Sequence, residues 1–428
     1  MNNVVLAGIA ACVLIAGLIF SPVFIRQSHV VQAQAQATTT RPGSITDFGV
    51  CRPGSITKTV TLHAQGKTLQ VAPNNLLTPG GIMYDADVFG TTRTDGTIPG
   101  PLISLTQGQN LRITLTNDDN EIHSLDFHMG HGTDQANSGP VPSGHSKTWT
   151  ICNPAPGAWF YHCSGNMLNG IWRHIANGMY GGVVVHPLNE KPAREFYMVF
   201  SQLFTNNTHG VGNPATGIGE FDFTKFYNDQ PDLILTNGMA FKYVPDIGDG
   251  TNECTTVGQE DCTLSLNNNA QVFKVKPDEL TRWYIFNAGP NDGVAFHFIG
   301  TYQNDFYGFD PNPPPGHILM HDLNDQVNWI PPADGQIFEA KFPLINTTNS
   351  HNPLSQSVNP LDQPSIYVGV DHNMNHAIKG GAFAVVSTPP PGPWPWPSGT
   401  RVPPKGSTCV TSDQNGVCPL AAVVNATK

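Results

Sequence analysis

The sequence predicts an all-β protein built as two β-sandwiches in tandem, and three observations carry that expectation. Gly 43 and Pro 37 cut the chain into many short stretches rich in Val, Ile, Phe, Tyr and Thr, the texture of sandwiches with frequent turns. Segments with a helical period of useful length are almost absent. Two closing stretches echo each other: Tyr180-Gly-Gly-Val-Val-Val and Gly380-Gly-Ala-Phe-Ala-Val-Val each follow a loop containing His and Met, as a duplicated unit would.

Taken in order, the chain of 428 residues opens on the apolar run Val4–Ile25, followed by Ala-x-Ala repeats that end at Ala37. Residues 1–37 read as a signal peptide with a cleavage site or, since the run is long enough to span a bilayer, as a membrane anchor. Either reading implies export, to the periplasm or another extracytoplasmic space. Residues 44–187 form the first unit. Lys58–Ala64 and Asn110–Asn117 alternate apolar and polar residues as half-buried strands do, Ala158–Cys163 is an aromatic strand after a Pro-Gly turn, and Tyr180–His186 closes the unit. A polar connector, Asn189–Arg194, leads to the second unit, residues 195–388, which starts with the strand Glu195–Leu203. There Lys274–Asn287 resembles Gln107–Thr116, each a polar turn with an alternating strand. Residues 389–428 begin with Pro389-Pro-Pro-Gly-Pro-Trp-Pro-Trp-Pro, which no interior strand or helix accommodates. Without the two ends roughly 350 residues remain, about two domains by length.

Only 12% of residues are charged and the formal net charge is -11. No basic patch is visible, which argues against nucleic acid as a partner. The acidity favours a basic redox partner. Of 8 cysteines, Cys12 lies in the leader and Cys163 among histidines. The remaining six read as disulfides of an exported protein, 254–262 and 409–418 by close spacing and 51–152 by elimination, among fifteen possible connectivities.

The chemistry concentrates around His162-Cys163. Cys163 is followed by His174 and Met179, and His123-Ser-Leu-Asp126-Phe-His128 lies upstream. One thiolate, two imidazoles and a weak axial thioether are the ligands of a blue-copper (type 1) site, here His123, Cys163, His174 and Met179. Met167 competes for the axial place, but it stands only four residues after Cys163. Successive strand side chains point to opposite faces, so His162 faces away from Cys163, and His128 likewise faces away from His123 on one strand. His128 and His162 therefore share a second metal. The two-residue link between the metals is a path on the order of 10 Å. A third imidazole is needed from the second unit, where His297, His317, His321, His372 and His376 are candidates.

These residues resemble a copper-containing nitrite reductase, a two-domain cupredoxin protein of the multicopper oxidase superfamily. His123-Ser-Leu-Asp126-Phe-His128 is similar to that family's His-x-x-Asp-x-His, and Pro156–Cys163 to its Pro-Gly-x-x-x-Tyr-His-Cys strand. Phe296–Gly300 is similar to its His-Leu-Ile-Gly stretch and Val370–Asn373 to its Val-Asn-His-Asn stretch. The resemblance covers most of residues 80–388 and implies cupredoxin-like Greek-key sandwiches. It also implies one type 1 and one type 2 copper per subunit, the latter on His128, His162 and His372. Asp126 and His297 would be the proton-handling catalytic pair, with Ile299 shaping the substrate pocket. It implies further a homotrimer with type 2 copper between subunits, and a small redox protein, a cupredoxin or cytochrome c, as electron donor. The chain departs from the family in the ten residues between Cys163 and His174, in Phe298 where leucine is usual, and in its tail.

The expected reaction is one-electron reduction of nitrite to nitric oxide and water, with the electron entering at type 1 copper and passing through Cys163-His162. A laccase-like oxidase needs paired His-x-His motifs, yet residue 164 is Ser and no His-x-His occurs. A simple electron-transfer cupredoxin would need Cys163 but neither His297 nor His372.

Overall fold

The computed structural model describes residues 48–75, 77–166, 170–188, 190–207, 212–244, 272–277, 279–301, 303–306, 323–344, 365–387 and 417–418. The first half carries β1 (Thr57–Ala72), β2 (Ile82–Gly90), β3 (Leu102–Thr106), β4 (Asn110–Asn117), β5 (Asp126–Phe127), α1 (Thr133–Ala136), β6 (Ser146–Ile151), β7 (Gly157–His162), α2 (Ile171–Ala176) and β8 (Tyr180–His186). The second carries β9 (Arg194–Leu203), β10 (Ile218–Gly219), α3 (Phe223–Tyr227), β11 (Leu233–Thr236), β12 (Phe273–Val275), β13 (Thr281–Asn287), β14 (Val294–Ile299), β15 (Gln303–Phe306), β16 (Leu323–Asp325) and β17 (Val327–Ile330). It continues through β18 (Asp334–Ala340), β19 (Ser365–Asp371), α4 (Met374–Ala377) and β20 (Ala382–Ser387), and β21 (Val417–Cys418) lies in the tail.

Four sheets result, ordered β10-β2-β1-β4-β6, β21-β3-β8-β7-β5, β11-β9-β13-β18-β15-β16 and β12-β20-β19-β14-β17. The first two enclose one core, in which Val60, Leu62, Ile113 and Leu115 meet Ile103, Tyr161, Val183 and Val185. The last two enclose another, in which Phe196, Phe200, Trp283 and Phe338 meet Phe296, Phe298 and Phe383. The protein is all-β in two sandwiches, and the helices among the described residues are single turns or little more.

A third apolar cluster joins the sandwiches, with Tyr84, Phe160, Tyr180 and Val184 from the first packing on Tyr197, Val199, Tyr284, Phe286 and Ile337 from the second. Strand alternation makes this possible. On β7 Tyr161 enters the first core while Phe160 enters the junction, and on β9 Phe196 and Met198 face the second core while Tyr197 and Val199 face the junction. Both strands are therefore apolar on both faces, as strands buried on two sides are. Two glycines let β8 fit between these layers: a Cβ on Gly181 would lie 2.4 Å from the Tyr161 ring, and one on Gly182 would lie 2.7 Å from Phe286.

An ion network also crosses the junction. Arg282 Nη1 lies 3.2 Å from both Glu190 and Glu195, and its Nη2 lies 2.6 Å from Glu339. His186 Nδ1 sits 2.6 Å from Glu190, and the Tyr284 hydroxyl donates to Glu195 at 3.0 Å. His186, Glu190 and Glu195 converge as metal ligands could, but the Arg282 guanidinium already occupies these carboxylates. The cluster ties the connector to β13 and β18.

The Cys51–Cys152 disulfide expected by elimination is present, with a Cα–Cα separation of 4.7 Å. Cys254, Cys262 and Cys409, the side chain of Cys418, and the leader to residue 37 all fall outside the described residues. One local expectation differs. His123 to His128 is not one strand: His123 makes only an isolated bridge to Val141, and β5 spans two residues before a turn closed by Gly130 N–H on the Phe127 carbonyl at 3.0 Å. His174 stands on a helix, α2, which follows Gly170 at φ 86°, a left-handed conformation that favours glycine.

Candidate metal centres

β7 ends at His162, and Cys163 continues its alternation into the first core, where both Cys163 and Met179 are fully buried. Cys163 Sγ lies 3.6 Å from His123 Nδ1 and 3.6 Å from His174 Nδ1, and these nitrogens are 3.1 Å apart. One sulfur and two imidazole nitrogens thus form a small triangle from three separate segments. Met179 is tied to it through the backbone: its N–H donates to the His174 carbonyl at 3.0 Å, and its carbonyl accepts from Cys163 N–H at 2.9 Å. Met167 lies outside the described residues.

The surroundings prepare the sulfur for a cation. Burial alone would raise the Cys163 thiol, but hydrogen bonds from His123 and His174 bring it down to about 6. Backbone N–H groups of Ser124 and Gly165 donate to Sγ at 3.4 and 3.2 Å. His123 is fixed from behind by Asp119, whose Oδ2 lies 2.8 Å from Nε2. Holding a ligating imidazole by its other nitrogen sets ring orientation and tautomer. Glu121 makes a bidentate pair with Arg173 at 3.0 and 3.1 Å, beside His174 on α2. Trp172 of the same helix stacks on Phe226 with centroids 5.3 Å apart.

His162 turns to the opposite face, with its ring 5.8 Å from Phe160. Its Nδ1 donates to the Cys163 carbonyl at 3.1 Å, leaving Nε2 directed at His128 Nε2, 3.1 Å away. Burial, opposed by that carbonyl, leaves His162 at about 4. Although His128 is exposed, desolvation of its ring beside the surrounding protein likewise lowers it, and it also hydrogen-bonds the Ala333 backbone across the junction. Both are therefore neutral imidazoles near pH 7, the form that binds metal. Asp126 is in register with His162 across β5 and β7, and its Oδ2 accepts from Asn137 Nδ2 at 3.2 Å.

The second sandwich brings two further predicted residues together. The His297 and His372 rings are 5.4 Å apart, with His372 exposed on the turn after β19. His297 Nδ1 bonds the Gln326 carbonyl, so its Nε2 is not engaged by that contact. Ile299 emerges two residues on, 46% exposed on the same face of β14. His376 is buried against Asp371, whereas His317 and His321 lie outside the described residues. Among the described residues, no third ligand atom joins His128 and His162 within 4.8 Å, as His123, Cys163 and His174 join one another. Asp119 and Ala333, which meet His123 and His128, and Asn137, which meets Asp126, went unpredicted, since they reach these residues through loops that carry no periodic signal.

Paired cupredoxin sandwiches with a buried Cys-His-His cluster define the class: a two-domain cupredoxin protein. Residues 85–190 match the family model of multicopper oxidases. The chain is similar to the copper-containing nitrite reductase of Neisseria gonorrhoeae, 28% identical over 295 residues, which are 68% of this chain and 60% of that protein. That of Neorhizobium galegae is 32% identical over 300 residues, 67% of this chain and 66% of that protein. The copper nitrite reductase of Nitrosomonas europaea superposes with a TM-score of 0.55 at 25% identity, covering 78% of this chain and 94% of that one. The chain spans about three fifths of the length of the neisserial relative. Copper-containing nitrite reductases are thus what the chain resembles in both sequence and fold.

Proposed function

We propose that the protein is an exported, copper-dependent nitrite reductase that converts nitrite, one electron and two protons into nitric oxide and water. The observation that carries this reading is the split at one peptide bond. Cys163 serves a closed cluster with His123 and His174, while His162 serves an open pair with His128. His123, Cys163, His174 and Met179 would hold type 1 copper, and His128, His162 and His372 type 2. Bound copper would supply one-electron exchange at the first site, and at the second an anion-binding position of the kind open catalytic sites keep.

The chain's residues do the rest. The Cys163-His162 peptide joins the two clusters covalently, so the electron needs no other route. Asp126 and His297 deliver the two protons as general acids, and Ile299 limits the space for the anion. His372 and His297 stand apart from His128 and His162 among one chain's described residues, which supports a homotrimer in which a neighbour supplies them. Heterologous contacts close into such rings. The electron donor in this reading is a small redox protein, a cupredoxin or cytochrome c.

EPR of the purified protein, with and without nitrite, tests the reading together with copper content. Two coppers per chain and a nitrite-induced change in the type 2 signal alone are expected. One copper per chain would make it an electron carrier, and about four would make it an oxidase.

A further inference from the structure

His372 is exposed, so core packing does not hold it in place. The two residues that flank it are held by polar contacts. Asp371 is completely buried, and its Oδ1 accepts the N–H groups of Ala295 at 2.9 Å and Asn373 at 3.1 Å. Its Oδ2 takes the Nδ1–H of His376 at 2.6 Å. His376 is buried as well, and its Nε2 faces Asp292 Oδ2 at 3.7 Å, an oxygen that also accepts from Asn373 Nδ2 at 3.2 Å. The His372 N–H itself donates to the Ala295 carbonyl at 2.7 Å. Four of these ties run from the turn bearing His372 to Asp292 and Ala295, which lead directly into His297 on β14.

We propose that Asp371 and His376 are positioning residues that set the spacing of His372 from His297. This inference rests on the reading of His372 as a copper ligand. An imidazole between two carboxylates braces the turn from behind, so that the exposed ring arrives pre-oriented for a site completed by another chain. Asp371 stands where the resembled family's stretch has asparagine, and the brace is built from it together with His376, three residues beyond Asn373. Outer groups that orient ligands are commonly worth roughly 10–100-fold in metal affinity.

The test titrates copper into metal-free protein and follows hydrogen exchange of the same samples. His376→Leu should weaken the second copper by about 10–100-fold, alter its EPR hyperfine splitting and speed exchange at the His372 and Asn373 amides. The visible band of the Cys163 site should not change. Asp371→Asn keeps an acceptor for the two backbone N–H groups but not for His376, and should retain more affinity than Asp371→Leu, which cannot accept either. Wild-type affinity and exchange in His376→Leu would overturn the proposal while leaving the reading of His372 intact. A second copper retained in His372→Ala would overturn that reading and the proposal with it.

Discussion

The two faces of β7 make opposite kinds of site. On one face Cys163 joins His123 and His174 in a buried cluster, closed within a single chain and backed by Asp119. On the other, His162 joins only His128, which is exposed, while His297 and His372 wait on the second sandwich. The closed site suits electron transfer, because a buried, pre-formed ligand set changes little between oxidation states. The open site suits catalysis, because a small anion must enter and an incomplete ligand set leaves room for it. The lesson is that strand alternation places ligands of a closed cluster and of an open pair back to back at no cost in chain length.

The largest effect comes from breaking the closed side. Cys163→Ala should abolish the visible thiolate-to-copper absorption and turnover while copper remains at the other face. Persistence of the colour would show that another residue supplies the sulfur. Next come the two residues proposed as proton donors on the open side. Asp126→Asn and His297→Ala should each keep both coppers and lose roughly 10²–10⁴-fold in turnover, with an altered pH profile. Near-normal rates in either variant would make that residue structural.

The smallest effect sharpens the closed side. Asp119→Asn should weaken copper at Cys163 by up to about 10–100-fold without touching the second copper. A hydrogen bond from His123 holds the Asp119 carboxyl below its usual 3.8. A carboxylate depressed on folding stabilises the fold above its unfolded value, and that contribution fades as pH falls through the folded value. Metal-free wild-type protein should therefore lose thermal stability on acidification below about 3.8, and Asp119→Asn should flatten that limb. Identical acid limbs would place the Asp119 contact outside the stability of the fold.

Much of this was legible in the sequence because it rests on short-range periodicity. Alternation along Ala158–Cys163 foretold the split of His162 from Cys163. His123 and His128 also go to different clusters, but an isolated bridge, a two-residue strand and a turn part them rather than alternation along one strand. The pairing of His297 with His372 followed from the family resemblance, not from any pattern within the chain. Other features escaped for physical reasons. A six-residue helix such as α2 is too short to show a period. The Arg282 network and the Ala333 contact to His128 join residues far apart in the chain, and the brace on Asp371 depends on a turn geometry that composition does not encode.

The central claim is that the open site is completed by a second chain, and mixing two inactive variants tests it most directly. His128→Ala and His372→Ala are unfolded, combined in equal amounts, refolded with copper and assayed for type 2 signal and nitrite turnover. If chains share sites around a closed ring, about a quarter of interfaces pair an intact His128 with an intact His372, and both readouts recover to about that fraction. No recovery despite demonstrated subunit mixing, or full activity in a monomer at high dilution, would contradict the claim and place the whole site within one chain.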